Sequence, residues 1–253
     1  MKRFTIAGNW KMNMTKENIS SFVEDYRKIA PELKKNVTKI ICPVYPLLNI
    51  AQENLKGFEI TIGAQNVSEH DKGAFTGEVS ASILRSILIT YCIIGHSERR
   101  QFYQDTDELI KLKWQQLRAE GINPIICVGE TLVEREGGTT YKVIEKQIST
   151  IFKGMDLKDN EDIMVAYEPV WAIGTGKTAT PEMAQEVHDC IRKLLVEIYG
   201  DNANNIPILY GGSVNPSNIK DLLSMPQING ALIGGASLKG SDYAQMVKIA
   251  GEL

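Results

Sequence analysis

Eight short runs of apolar, largely β-branched residues recur along this chain at intervals of about thirty residues. They are almost continuously apolar, which is typical of strands buried on both faces of a parallel sheet. The runs are FTIAG (4–8), KIICPV (39–44), ITIGAQ (60–65), YCIIGH (91–96), PIICVG (124–129), IMVAYE (163–168), IPILYGG (206–212) and INGALIGG (228–235). The repeat predicts eight parallel strands.

Amphipathic segments between these runs predict helices. The clearest is residues 180–200, in which Thr180 can cap the helix, Pro181 suits its first turn and Gly200 its end. Its apolar stripe, predicted to pack on the sheet, consists of Met183, Val187, Ile191, Leu194, Leu195 and Ile198. We expect the polar residues His188, Arg192 and Lys193 to lie off that stripe. Residues 17–30, 107–121 and 140–154 have similar patterns.

The alternation of strands and helices restricts the fold. Because crossovers between parallel strands are right-handed, it leaves a closed (β/α)8 barrel or a doubly wound open sheet. Eight strands in 253 residues favour the barrel. No interior stretch is rich in serine and proline or low in complexity, so we predict one domain over residues 1–253.

The charge and the start of the chain argue against two classes of partner. The formal net charge is −3, which provides no basic surface for nucleic acid or for an anionic membrane. The opening MKRFTIAG has too short an apolar run for a signal peptide or a spanning helix. We therefore expect a cytoplasmic protein.

The metal-binding residue types are scattered. Four cysteines stand singly among apolar neighbours without a CxxC spacing, and three histidines, His70, His96 and His188, lie far apart. The cysteines are interpreted as small core residues. We therefore predict no metal site.

The stretch YEPVWAIGTGKT (167–178) has two interpretations. The first interpretation is a nucleotide-binding loop. A phosphate-binding P-loop requires glycine at position 171, which is tryptophan here. Residues 174–179 match the dinucleotide-binding pattern GxGxxA, but four residues separate them from the strand, whereas that pattern should follow the strand directly. The alternative is a hinged lid over an active site, stiffened by prolines at both ends. The residues do not exclude an ordinary flexible loop without this role. The predicted lid comprises Pro169, Val170, Trp171, Ala172, Ile173, Gly174, Thr175, Gly176, Lys177 and Thr178.

Unusual polar residues and glycine pairs follow the ends of five strands. In a parallel barrel all of these positions lie on one face, where barrel enzymes place their active sites. Each residue alone is a common structural or surface residue, but their shared placement indicates a site. They are Asn9 and Lys11, His96, Glu168, Gly211 with Gly212 and Ser213, and Gly234 with Gly235.

These residue types are typical of proton transfer on a phosphorylated substrate. The glycine pairs leave main-chain amides open to a phosphate. Glu168 has apolar neighbours, and loss of hydration makes a carboxylate a better general base. His96 precedes SERR, the predicted first turn of a helix, whose positive end favours a neutral imidazole that donates to a substrate oxygen. Lys11 would stabilise developing negative charge.

Several motifs closely resemble the triosephosphate isomerase family and follow its order along the whole chain. They are AGNWKMN (7–13), GAFTGEVS (73–80), IIGHSERR (93–100), ICVGET (126–131), AYEPVWAIGTGKTAT (166–180), YGGSV (210–214) and GGASL (234–238). The resemblance implies a (β/α)8 barrel that interconverts dihydroxyacetone phosphate and glyceraldehyde 3-phosphate in glycolysis and gluconeogenesis. It implies no cofactor and no metal.

The resemblance also implies a role for each site residue. Glu168 would be the base and neutral His96 the electrophile, an arrangement of which this family is itself the standard example. Asn9 and Lys11 would bind substrate, and Glu98 would hold Lys11. The amides of Gly174, Ser213, Gly234 and Gly235 would bind the phosphate. Ile173 and Leu232 would press on the base when the lid closes, and Tyr210 would latch the lid.

The segment QNVSEHDKGAFTGEVS (65–80) resembles the family's dimer loop. Thr76 would then reach the partner's Asn9 and Lys11, which implies a homodimer, with a tetramer as the alternative. The run VSEHDK (67–72) matches no family motif.

Two other functions remain open from the residues. One is a different phosphosugar enzyme on the same scaffold, such as an aldolase or decarboxylase, for which Lys11 is the nearest Schiff-base candidate. The other is a barrel that serves only protein interaction, which would be expected to have lost Lys11, His96 or Glu168.

Overall fold

The eight predicted strands form a closed barrel. The structure, a computed structural model, describes residues 3–157, 162–172 and 179–253. The strands are parallel and paired in chain order, and β1 also pairs with β8, so the sheet closes on itself. They are β1 (Phe4–Asn9), β2 (Val37–Cys42), β3 (Thr61–Ala64), β4 (Tyr91–Ile94), β5 (Asn123–Val128), β6 (Met164–Tyr167), β7 (Ile208–Tyr210) and β8 (Gly230–Ile233). The predicted (β/α)8 barrel is confirmed, and the open sheet is wrong.

Several strands are shorter than the apolar runs that predicted them. The seventh run covers 206–212, but β7 comprises only Ile208–Tyr210, and β8 ends before the glycines at 234 and 235. Glycine has little strand propensity and no side chain to pack against the helices. Both glycine pairs therefore lie beyond the strands at the carboxyl end of the barrel, where Gly235 begins a 3-10 helix, Gly235–Leu238.

Helices surround the barrel. They are α1 (Lys16–Ile29), α2 (Leu48–Asn54), α3 (Ala81–Ser86), α4 (Ser97–Tyr103), α5 (Asp107–Ala119), α6 (Leu132–Glu136), α7 (Thr140–Phe152), α8 (Pro181–Tyr199), α9 (Ile219–Leu223) and α10 (Gly240–Glu252). Two of them, α4 and α5, connect β4 to β5, so α4 begins directly at the barrel mouth. None of the helices described over 3–157, 162–172 and 179–253 has the length and apolarity needed to cross a membrane.

Helix α8 begins as predicted and buries Val187, Ile191 and Leu195 of the predicted stripe, but its buried face also includes two polar residues. The Thr180 hydroxyl accepts a hydrogen bond from the main chain of Met183 at 3.2 Å. His188 and Arg192, expected off the packed stripe, are both buried. His188 Nδ1 lies 3.1 Å from the Gln227 carbonyl, and Arg192 donates to main-chain carbonyls, including that of Ile206 at 2.7 Å. The His188 Nδ1 atom and the Arg192 guanidinium are paired with main-chain carbonyls inside the protein, which an apolar periodicity does not reveal.

Apolar side chains fill the barrel interior beneath the mouth. Among them, Cys42 and Cys127 are fully buried, and Cys92 is buried on the helix side. Burial raises the pKa of the Cys42 thiol to about 12. These three cysteines are small core residues as predicted, whereas Cys190 on α8 is only partly buried.

Candidate active site

A cavity of about 410 Å³ opens at the carboxyl ends of the strands. A small phosphorylated metabolite fits such a volume. The structure brings together here every described residue that the sequence predicted to contact substrate. These are Asn9, Lys11, His96, Glu168, Ser213, Gly234 and Gly235.

Lys11 is held in a restrained conformation just after β1. Its φ angle is 49°, in the left-handed region that a residue with a side chain rarely adopts. Its amide donates to Asn9 Oδ1 at 3.0 Å, and its Nζ donates to Glu98 Oε1 at 2.6 Å. The main chain and the ammonium are thus both fixed, and Glu98 occupies the predicted position beside Lys11.

His96 forms the N-terminal cap of α4. Its Nδ1 accepts a hydrogen bond from the Glu98 amide at 3.2 Å. Because Nδ1 accepts, a neutral ring carries its proton on Nε2, a tautomer assigned from the hydrogen-bond geometry. The Glu98 carboxylate lies 3.6 Å from Nδ1, beyond a good hydrogen bond, and is bonded to Lys11 instead. His96 therefore presents an Nε2–H donor to the cavity.

Glu168 follows β6 and is only 2% exposed. Its Oε1 lies 3.0 Å from His96 Nε2 and accepts from the Ser97 hydroxyl at 3.0 Å, while its Oε2 accepts from the Ser97 amide at 2.9 Å. The carboxylate is therefore shielded from water, and its hydrogen-bond donors belong to two consecutive residues at the start of α4. Such a group can act as a base once a substrate displaces these donors.

Two glycines make room for Glu168. A Cβ at Gly129 would lie 1.8 Å from the Glu168 carbonyl oxygen, and one at Gly211 would lie 2.9 Å from its Cγ. Gln147 on α7 holds Gly129 by accepting from its amide and donating to its carbonyl. Any larger residue at either glycine would displace the carboxylate.

The glycine turns, residues 211–213 and 234–235, also line the cavity. The Gly211 amide donates to the Tyr167 carbonyl at 2.7 Å. The amides of Gly212, Ser213, Gly234 and Gly235 donate to no group within the described ranges. Unpaired amides at a cavity wall are a binding site for an anion such as phosphate.

The first part of the predicted lid forms a short 3-10 helix, Val170–Ala172. Trp171 is buried, and its Nε1 donates to Glu130 Oε1 at 2.9 Å. The Tyr167 hydroxyl donates to the same oxygen at 3.1 Å, and the Arg135 guanidinium lies 5.3 Å from the Trp171 ring centroid. Glu130 thereby links β6 to the described part of the predicted lid. Residues 173–178, including Ile173 and Gly174, lie outside the described residues.

The closing contacts predicted for Tyr210 and Leu232 stay predictions. Tyr210 is fully buried in β7, and its hydroxyl has no hydrogen-bond partner in the described part of the chain. Burial raises the pKa of this hydroxyl to about 12. A Cβ at Gly212 would lie 2.2 Å from the Tyr210 hydroxyl oxygen. Leu232 lines the cavity.

Sequence reasoning missed Ser97 and Glu130. Ser97 directly follows His96 at a helix start, where its amide is free to donate, and this was the available signal. Glu130 stands in ICVGET, but its orientation depends on aromatic residues that are distant in sequence. Burial raises the pKa of the Glu130 carboxyl, and hydrogen bonds from Trp171 and Tyr167 oppose part of this effect.

We expect Glu130→Gln to change the pH dependence of stability. The folded protein holds the Glu130 proton more tightly than the unfolded chain, so the carboxyl's stabilising contribution is fully present below about pH 4.5 and is lost as pH rises through the raised pKa. Glutamine does not titrate. The free energy of unfolding of the wild type, relative to the variant, should therefore increase from about pH 8 to about pH 5. Urea unfolding measures this, with exposed Glu136→Gln as control, and a pH-independent difference would contradict it.

Thr76 is exposed on the predicted dimer loop. The His70 ring, in the run without a family motif, stacks on Phe75 of the motif GAFTGEVS at 3.7 Å between centroids. A second cavity, of about 260 Å³, lies beside Lys11 and Gln65. The contact of Thr76 with a partner subunit stays a prediction.

No cluster of three or more histidine, cysteine, aspartate or glutamate side chains suited to a metal occurs among the residues placed by the structure.

Comparison with known proteins gives a consistent result. The sequence model of the family described as triosephosphate isomerase matches residues 4–250. The chain is 46% identical over 248 residues to the triosephosphate isomerase of Endomicrobium trichonymphae, covering 98% of this chain and 99% of that protein. It is 49% identical to that of Carboxydothermus hydrogenoformans, covering 98% and 99%. It is 45% identical to that of Thermus thermophilus, covering 99% and 100%.

Proposed function

This chain belongs to the triosephosphate isomerase family, and we propose that it interconverts dihydroxyacetone phosphate and D-glyceraldehyde 3-phosphate through an enediolate. One observation carries the proposal for the site. One cavity of suitable size is lined by a carboxylate, an imidazole N–H, an ammonium and glycine-turn residues whose amides have no partner among the described residues. As an aldose–ketose isomerase, the enzyme acts in glycolysis and gluconeogenesis.

Binding would begin with the phosphate. The amides of Ser213, Gly234 and Gly235 are available, and Gly174 of the lid is proposed to complete the set. The reacting carbons would then lie near Asn9, Lys11 and Glu168. Fixing the substrate by its unreactive end places the carbon-bound proton near the base, which makes the transfer effectively unimolecular.

Glu168 would remove a proton from the carbon next to the carbonyl group. The C–H electron pair forms the enediolate C=C bond, and the carbonyl π electrons move to oxygen. His96 Nε2–H, now bonded to Glu168, would donate to that oxygen instead, and the Lys11 ammonium would stabilise its charge. A proton must also move between the two oxygens: His96 would give its Nε2 proton to the former carbonyl oxygen and take the hydroxyl proton from the adjacent oxygen. Protonated Glu168 then delivers its proton to the former carbonyl carbon, the adjacent C–O becomes the new carbonyl group, and the carboxylate is regenerated.

A coupled assay tests this function. Conversion of D-glyceraldehyde 3-phosphate is followed through reduction of the dihydroxyacetone phosphate formed, by an NADH-dependent dehydrogenase. We expect saturable turnover with EDTA present. For an aldolase that uses Lys11, borohydride reduction with substrate would instead label the chain covalently. The Lys11 ammonium is hydrogen-bonded to Glu98, whereas a Schiff-base lysine must present a free amine.

The lid is proposed to hold the enediolate until the second proton transfer. Deletion of residues 173–176 should raise the ratio of methylglyoxal to isomerised product, because an enediolate phosphate exposed to water eliminates phosphate. Quantifying both products by NMR after complete conversion measures the ratio. A ratio equal to that of the wild type would rule out this role.

We propose that the protein is a cytoplasmic homodimer in which Thr76 approaches the partner's Lys11. The exposed loop around Phe75 and the second cavity beside Lys11 support this arrangement. Light scattering after size-exclusion chromatography gives the mass, and a monomer at micromolar concentration would contradict the proposal. A mass of four chains would indicate the tetramer.

A further inference from the structure

Ser237 supports the glycine turn after β8 from behind. It is fully buried, and both its hydroxyl, at 2.7 Å, and its amide, at 2.9 Å, donate to the Gly234 carbonyl oxygen. That carbonyl belongs to the same peptide group as the Gly235 amide, and the C=O and N–H of a trans peptide point in opposite directions. Holding the carbonyl therefore directs the Gly235 N–H away from Ser237.

Ser237 is itself fixed to the end of β1. Its carbonyl accepts from Trp10 Nε1 at 2.9 Å, and Trp10 is fully buried. A Cβ at Gly8 would lie 2.9 Å from Ser237 Cβ, so the serine packs directly on the strand. The turn after β8 is thus anchored to the strand that carries Asn9 and leads to Lys11.

Asn218 performs the matching task for the turn after β7. Its Nδ2 donates to the Ser213 carbonyl at 3.0 Å, and its Oδ1 accepts from the Asn215 amide at 2.9 Å. At the other end of the turn, the Gly211 amide is bonded to the Tyr167 carbonyl. The amides of Gly212 and Ser213, which have no partner in the described ranges, therefore lie between two main-chain groups held by hydrogen bonds.

We propose that Asn218 and Ser237 are positioning residues that preorganise the phosphate-binding amides of the two glycine turns. This rests on the proposed function, since it assumes that these amides bind the substrate phosphate. Glycine loses more conformational entropy on ordering than any other residue. Side chains that order the turns before binding spare the substrate that cost, which strengthens phosphate binding. Neither residue is among those that line the cavity.

The test compares Asn218→Ala and Ser237→Ala with the control Ser217→Ala. Ser217 is an exposed neighbour whose hydroxyl bonds Asn215 and not Ser213. Each protein is assayed with D-glyceraldehyde 3-phosphate and with D-glyceraldehyde, which has the same reacting carbons and no phosphate. The inhibition constant of inorganic phosphate is measured in parallel.

We expect kcat/KM for the phosphorylated substrate to fall about tenfold in each test variant, as for loss of a typical hydrogen bond. The inhibition constant of inorganic phosphate should rise by a similar factor. The kcat/KM for D-glyceraldehyde should stay within about twofold of the wild-type value, because the reacting groups are untouched. The control should match the wild type on both substrates.

Two results would overturn the proposal while leaving the proposed function intact. One is full activity of both test variants on the phosphorylated substrate, and the other is an equal loss on both substrates. A wild-type protein without isomerase activity would instead contradict the proposed function. Thermal unfolding checks that the variants fold, and Ser237→Cys, which keeps most of the volume but is a weak donor, replaces Ser237→Ala if it does not fold.

Discussion

Replacing Glu168 by aspartate is expected to lower kcat for D-glyceraldehyde 3-phosphate at least about 100-fold. Aspartate keeps the charge but withdraws the carboxylate by one methylene from the cavity. A misplacement of that size takes the base out of reach of the carbon-bound proton. Steady-state kinetics in the coupled assay measure the loss, and Glu136→Asp on the exposed end of α6 is the matched control.

A second substitution separates distance from basicity. Glu168→Gln keeps the length and can still accept from Ser97, but it cannot take a proton. We expect a larger loss in kcat, by about 10³-fold to 10⁴-fold. Wild-type-like turnover of either variant would refute the assignment of Glu168 as the base.

Replacing Lys11 by methionine is expected to lower kcat/KM about 100-fold to 1,000-fold. Methionine keeps much of the apolar stem and removes the cation that would stabilise the phosphate and the enediolate oxygen. The matched control is Lys16→Met, which removes one positive charge on the exposed first turn of α1, outside the proposed site. Kinetics of both variants in low salt measure the difference, and equal activity would contradict the role of Lys11.

The Glu98 carboxylate is a second cause of activity loss in Lys11→Met, and a double variant controls for it. In Lys11→Met this carboxylate loses a partner at 2.6 Å and would repel a phosphorylated substrate. The double variant Lys11→Met, Glu98→Gln removes this repulsion. If the double variant regains most of the activity, the single loss reflects the stranded carboxylate, and Lys11 itself has no role in stabilising the reacting oxygen.

The sequence was sufficient to predict the barrel and the convergence of the site. Strands buried on both faces are almost continuously apolar, so the eight runs stand out without knowledge of any contact. Once they are parallel, the carboxyl ends of β1, β4 and β6 must share one face. This places Lys11, His96 and Glu168 together, although they are separated by up to 157 residues.

The supporting hydrogen bonds could not be predicted in the same way. Each of these bonds requires one particular side-chain orientation, which depends on packing between distant segments of the chain. The residues concerned are Ser97, Glu130, Asn218 and Ser237. Each is a common polar residue whose sequence neighbours give no sign of its partner. The buried face of α8 is a related case, because Arg192 is buried by pairing with main-chain carbonyls.

The most direct test of the proposed chemistry is to let the wild-type protein convert D-glyceraldehyde 3-phosphate in deuterium oxide. Proton transfer through the Glu168 carboxylate, which exchanges with solvent, predicts dihydroxyacetone phosphate with deuterium on the former aldehyde carbon in at least part of the product. NMR of the product measures it. Product formed entirely without deuterium would contradict proton transfer through a carboxyl group that exchanges with solvent during turnover.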